Sequence, residues 1–322
     1  MNIIPDTMAA IAKAITGAYL ASEGNAFTTR TASQIVQEHF NPGEVNQPSG
    51  PLFGVQFSQL PCGDFVTRFE PGDAPGPGPH RSPLGLSADP GGLPLYKGGT
   101  PVGGVGVISD GVYGLDKSVS DFDRDDDELI AIAGSVGFAA PVDRRGDVIT
   151  VLGKTFRFTD TTPADLISAP EQAPPLAQVA GSLQRVPGYH DGAQALAGTA
   201  FTTPASGIRP AAPGAFTDAE GENLDAFVFV DESDTNRFPP RAGTDDPGGD
   251  PANALTGAEV RRILSSALDV AYRSRAQIRN PKGSAARVTI SVVDSDGAIV
   301  GMVRTRDAPV FGADVSLQKA RT

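Results

Sequence analysis

At 322 residues, 39% of them apolar, the chain is long enough for two average domains or for one domain with a large insertion. Glycine and proline (38 and 28) make up about a fifth of it, which implies an ordinary core carrying much loop. Twenty-six basic residues against 38 acidic ones leave a net charge of −12, a field that repels phosphate backbones and anionic lipid and argues against nucleic acid or a membrane surface as partner.

In chain order, residues 6–22 read as a helix that Asp6 or Thr7 can cap, with Met8, Ile11, Ala12, Ile15 and Tyr19 on one face. A second helix is expected over Thr31–Phe40, stopped by Asn41-Pro42-Gly43. From Gly63 to Gly92 the Pro/Gly-rich composition predicts an irregular surface loop. Gly98-Gly99 then marks a turn ahead of a short strand, Val102–Ile108. The segment DFDRDDDELIAIAGSVGF predicts a helix opened by acids and ended at Gly134 or Gly137.

Residues 141–252 carry few periodic signals. A hairpin is expected in DVITVLGKTFRFTD with Gly153-Lys154 at its turn, and Asp225–Val230 reads as one more strand. The zone reads as an insertion or connector with little core of its own. Beyond it, Thr256 and Glu259 form a capping box, and Val260, Ile263, Leu264, Ala267, Leu268 and Ala271 line one helical face. Asn280-Pro281-Lys282-Gly283 breaks that helix. ARVTISVVDSDGAIVGMVRT follows as two strands around Ser295-Asp296-Gly297, and VSLQKART opens a last helix. IAKAIT (Ile11–Thr16) and LQKART (Leu317–Thr322) repeat a Lys-Ala-x-Thr motif.

The chemistry-bearing residues are sparse. One cysteine, Cys62, excludes an intrachain disulfide and a Cys-based zinc site, and no Lys, Arg or His neighbours it to lower its pKa. His39, His80 and His190 are the histidines; a multi-histidine metal centre would need all three to converge. Asp121, Asp123, Asp125, Asp126, Asp127 and Glu128 invite a calcium reading, but Asp126 and Ile132 stand where an EF-hand loop needs Gly and Glu. No G-x-S-x-G elbow and no phosphate-binding GxGxxG before a helix are present, so neither a hydrolase nor a nucleotide site is supported. No apolar run reaches membrane-spanning length, so membrane insertion is not expected. The first twenty residues lack the basic start and long apolar stretch of a secretory signal. The compartment is therefore left open, secreted or periplasmic included if the chain is a fragment.

Several pieces together resemble the GlcG/HbpS family of small haem-associated α/β proteins. LTGAEVRRIL, SVVDSDGAIVGMVRTRDAP and LQKART, within 255–322, are similar to the first half of that family's domain. AIAKAIT, GGTPVGGVGVISDG and DRDDDELIAIAG, within 9–134, are similar to its second half. The resemblance covers roughly 200 residues and departs from the family in order, because the second half comes first and Lys-Ala-x-Thr occurs at both ends. It implies a fragment of a tandem two-domain parent: 1–140 as the second half of one domain, 141–252 as the loop-rich connector, 253–322 as the first half of the next. The implied fold is α/β (α+β), a mostly antiparallel sheet flanked by helices, PAS- or profilin-like. The halves would close on each other as a permuted domain or pair with another chain, since an open sheet edge aggregates.

The resemblance implies a non-catalytic haem- or small-ligand-binding protein acting as an oligomer. The alternatives are an accessory or structural subunit without its own ligand and a haem-degrading enzyme. Arg304, Lys319 and the repeat counterpart Lys13 are the expected anchors for a carboxylate or haem propionate. The bland alternative is pairing with Asp294 or Asp307, or simple solvation. Gly98, Gly99 and Pro101, with the strand glycines Gly103, Gly104 and Gly106, allow a planar ligand or a neighbouring subunit against the sheet; a tight turn with close helix packing is the favoured reading. His39 is the expected haem-iron ligand.

Overall fold

The computed structural model describes residues 3–58, 60, 78–181, 183–189, 195 and 197–322. Cys62 and His190 lie outside the described residues. The chain is α+β with antiparallel sheets, and it forms two compact units. One is built from residues within Met1–Gly63, Arg81–Ser182 and Gln277–Ser284; the other from residues within Asp64–His80, Leu183–Ala276 and Ala285–Thr322. No helix among the described residues is long and apolar enough to cross a membrane.

The first unit is organised by helix α1 (Asp6–Leu20) lying on a hairpin of β1 (Gly92–Lys97) and β2 (Thr100–Gly106). The buried side of α1 is Ala9, Ala12, Lys13, Thr16, Gly17 and Leu20, whereas Met8 is 41% exposed. The expected face of large apolar residues is thus rotated away from the sheet, and the reason is distance. A Cβ at Gly104 would sit 2.0 Å from the Ala14 carbonyl oxygen, and one at Gly106 would sit 2.1 Å from that of Ala10. Helix and strand approach so closely that small residues must meet. Strand alternation turns Leu93 and Val105 the other way, onto Ala131 and Ile132 of α3 (Asp126–Gly134).

Helix α2 (Thr29–Ile35) begins two residues before the expected start and ends five earlier than expected, because Thr28 and Thr31 form its capping box. All seven of its residues are buried. Residues 141–182 add a short hairpin, β3 (Thr150–Val151) and β4 (Lys154–Thr155), whose turn is Leu152-Gly153 rather than Gly153-Lys154. They also add Phe156, which packs edge-on against Phe27 at 5.5 Å, and Phe158, which is buried with Tyr96, Ala21 and Ala26.

The second unit is a four-stranded antiparallel sheet of order β5-β6-β8-β7, made of β5 (Ile208–Pro210), β6 (Ala226–Phe229), β7 (Thr289–Val293) and β8 (Ile299–Thr305). The expected hairpin is β7-β8, and the strand in Asp225–Val230 is β6. The sequence offered no sign of β5, whose backbone simply follows the edge that β6 presents. Helix α4 (Gly257–Arg273) covers one face, burying Val260, Leu264 and Leu268 against Val228, Val300 and Val303. Gly301 admits this helix, since a Cβ there would stand 2.9 Å from both Leu264 and Val260. Helix α5 (Gly312–Ala320) covers the other, with Ala313 and Leu317 on Met302, Phe227 and Phe229. The loop-rich middle zone therefore supplies core: all four residues of β6 are buried, and Phe216 and Val230 join them.

Candidate functional site

Lys13 and Arg30 anchor a buried cluster of ion pairs in the first unit. Lys13 has no exposed surface, because α1 presses it against the sheet. Its ammonium donates to the Val107 carbonyl at 2.6 Å and pairs with Asp127 at 2.5 Å and with Asp89. Burial pushes the Asp89 carboxyl up to about 6 against the pull of Lys13. Asp127 is set by the start of α3, where Asp125 caps the helix by accepting the Glu128 N–H at 2.8 Å. Arg30, on α2, is held by Glu128 at 2.6 Å, Asp116 at 2.7 Å and Asp160 at 2.9 Å, with Asp125 at 3.8 Å. Burial opposes the guanidinium charge, but Glu128, Asp160 and Asp116 outweigh it and raise its pKa. Glu128 is itself raised by burial, with Arg30 pulling the other way. Both cations are committed to carboxylates, so Lys13 has no charge to spare for a ligand. Sequence reasoning missed Arg30 because its partner Glu128 is 98 residues away.

The turn Gly98-Gly99 has positive φ at both positions, 58° and 83°, the two-residue turn that closes a tight hairpin. Pro101 pairs across the hairpin with Tyr96. Gly103 has open space at its Cβ position, whereas Gly104 and Gly106 are filled by α1. The two strand glycines at the helix contact therefore serve close packing. His39 is half-buried, with Nδ1 2.9 Å from the Gln47 carbonyl. That partner can only accept, so Nδ1 carries a hydrogen, and in the neutral ring the lone pair is on Nε2.

Asp121 and Asp123, both exposed, gather with Asp116 so that their carboxylate oxygens lie within 4.8 Å of one another. Exposed acids commonly cluster this way without an ion. Asp127 and Glu128 are instead spent on the buried cations.

The second unit holds Arg304 and Lys319. Lys319 is exposed in the last turn of α5. Arg304, on β8, is 2% exposed and donates from Nη2 to the Ala308 carbonyl, with its guanidinium 5.4 Å from the Phe229 ring centroid. Burial lowers its pKa to about 10, with Asp307 opposing. Of the two expected acidic partners, Asp307 acts on it through its charge from beyond ion-pair distance, whereas Asp294 accepts the N–H groups of Ala298 and Thr244. The structure thus distributes the expected residues, with Lys13, His39, Gly98, Gly99 and Pro101 in one unit and Arg304 and Lys319 in the other.

A cavity of about 830 Å³ in the second unit is lined by His80, Thr199, Thr203, Ser206 and Glu232, among others. Burial lowers the His80 pKa, which keeps its ring neutral at pH 7. His80 sits in the Pro/Gly-rich stretch, where composition gives no hint that a concave wall forms around it. A second cavity of similar size follows the outer face of α4, and Arg261, Arg262 and Arg273 on its wall are exposed. Compared with family models, with curated proteins and with solved structures, the chain matches none.

Proposed function

We propose that the protein is a non-catalytic binder of a small organic ligand, haem in the reading implied by the GlcG/HbpS resemblance, and that it works as an oligomer. The observation that carries this is the cavity of the second unit. Its volume, about 830 Å³, lies in the range of small-molecule and cofactor sites, and a few hydroxyls and one imidazole point to where polar atoms of a ligand would be fixed.

The donor chemistry fits iron in part. A neutral imidazole is the protonation state that binds metal, and His80 is held in it by burial. His39, in the other unit, would in its neutral form present Nε2, with Nδ1 donating to Gln47. His80 is the residue that would hold the iron in the cavity, and bound haem would supply a redox-active metal centre there. Lys13 does not serve a propionate, since Asp89 and Asp127 already neutralise it.

The test is a haemin titration of the purified chain, read by its visible spectrum with albumin as the nonspecific control, beside sizing of the same sample. A saturable Soret shift at about one haem per chain or per dimer, lost in His80→Ala and kept in His39→Ala, is the expected result. No shift from a folded oligomer overturns haem binding and leaves the structural-subunit reading.

A further inference from the structure

Among the buried cations of the described residues, Lys13, Arg30 and Arg304 differ in how their charge is met. Lys13 holds two carboxylates and Arg30 holds four, all within ion-pair distance. Arg304 holds none. Its Nη2 donates to the Ala308 carbonyl, and its Nε and Nη1 are fully shielded from solvent with no hydrogen-bond partner. The side chain shares a face of β8 with Met302, which packs under α5 against Ala313 and Leu317. The Phe229 ring at 5.4 Å attracts the cation, but far less strongly than burial of a full charge disfavours it. Buried donors without acceptors are rare in folded proteins, and each calls for an explanation.

Discarding the proton does not resolve the problem, because a guanidinium with a pKa of about 10 remains charged at neutral pH. An internal water would supply acceptors but no counter-charge, and the one carboxylate that acts on Arg304, Asp307, stays beyond ion-pair distance. A ligand as large as haem cannot reach a side chain that is 2% exposed. What meets both needs is one small negative ion.

We propose that Arg304 is the receptor of a single small monovalent anion, of chloride or formate size, sealed into the second unit beneath α5. The site is independent of the cavity at His80, so haem binding and anion binding stand or fall separately. The anion neutralises a charge that the fold buries without a carboxylate, and it joins β8 to the segment that carries Ala308. The chain would then couple the stability of this unit to the anion content of its surroundings.

The test uses the full chain in thermal denaturation at constant ionic strength, with chloride or formate replacing gluconate, which is too large to enter. Wild type is expected to show a saturable rise in Tm of about 5 °C at anion concentrations far above the midpoint. Arg304→Met is expected to lose that response and to match or exceed the Tm of anion-free wild type. Arg304→Lys keeps the charge with fewer donors, and its midpoint should shift at least about tenfold to higher anion concentration. Chloride-35 line broadening on wild type, displaced by formate, reads the site without any variant. A wild-type Tm indifferent to the choice of anion, or an equal anion response in wild type and Arg304→Met, overturns the proposal. So does the absence of displaceable broadening; an internal water then satisfies the donors.

Discussion

Replacing Arg30 by Met tests whether the ion cluster of the first unit is structural. The guanidinium stands 2.6 Å from Glu128, 2.7 Å from Asp116 and 2.9 Å from Asp160. The losses are unequal. Asp160 keeps Arg157, and the Asp116 and Asp125 side chains, 20% and 25% exposed, can turn to water. Glu128, 1% exposed, cannot. It retains the Asp160 N–H at 2.8 Å but becomes a buried charge without a cation. Breaking a buried pair from one side costs about 3–5 kcal/mol, and that is the loss expected at pH 7.5. Because the site is closed to solvent, 0.5 M salt should leave the loss nearly unchanged, whereas a surface pair would be screened. Adding Glu128→Gln to Arg30→Met removes the stranded charge and should restore about 2 kcal/mol. The chain has no tryptophan, so urea unfolding is best followed by far-ultraviolet circular dichroism. A loss below about 1 kcal/mol for Arg30→Met, or a double variant no better than the single one, refutes the reasoning.

Gly104→Ala should cost about 1–3 kcal/mol, because its methyl group would lie 2.0 Å from the Ala14 carbonyl oxygen and push α1 off the sheet. Gly103→Ala, one residue away with open space around it, should be neutral or slightly stabilising, and equal effects in urea titrations would deny the packing role. Asp89 has a folded-state pKa raised to about 6 from 3.8, so its protonated form favours the fold; the stability it contributes is full below about 3.8 and lost as pH rises through 6. Asp89→Asn abolishes that dependence, so its stability relative to wild type should rise by about 2–3 kcal/mol between pH 4 and pH 7, and a pH-independent difference would contradict the assignment. Thr256→Ala deletes the cap that accepts the Glu259 N–H at 3.2 Å and should lower the stability of the second unit by about 1 kcal/mol, read as a shift in the urea midpoint.

Much of the secondary structure was legible because its signals are local. The Thr256–Glu259 capping box and the apolar stripe through Val260, Leu264 and Leu268 mark α4 without reference to anything distant. The same holds for the Ser295-Asp296-Gly297 turn between β7 and β8, the Gly98-Gly99 turn, and the acids that open α3. What one helix buries is a different matter. On α1 the apolar periodicity pointed to Met8, Ile11, Ala12, Ile15 and Tyr19, but of these only Ala12 is on the buried side, with Ala9, Lys13, Thr16, Gly17 and Leu20, because Gly104 and Gly106 on another element set how near the helix comes. Periodicity reports which residues avoid water, not how much room a neighbour leaves.

The candidate sites divide along the same line. The sequence by itself determined which residue types were at hand: one cysteine, three histidines, a few cations near the hairpin and helix ends, and an acidic balance. Only the tertiary structure decided what each one meets. Lys13 and Lys319 occupy equivalent places in a repeated motif, yet one is sealed against Asp89 and Asp127 and the other is solvated. Arg304 is buried without a carboxylate, and His80 comes to line a cavity with Thr203 and Glu232, residues more than a hundred positions away. A charge's burial and its partners are properties of the space around it, and residues far apart in the chain build that space.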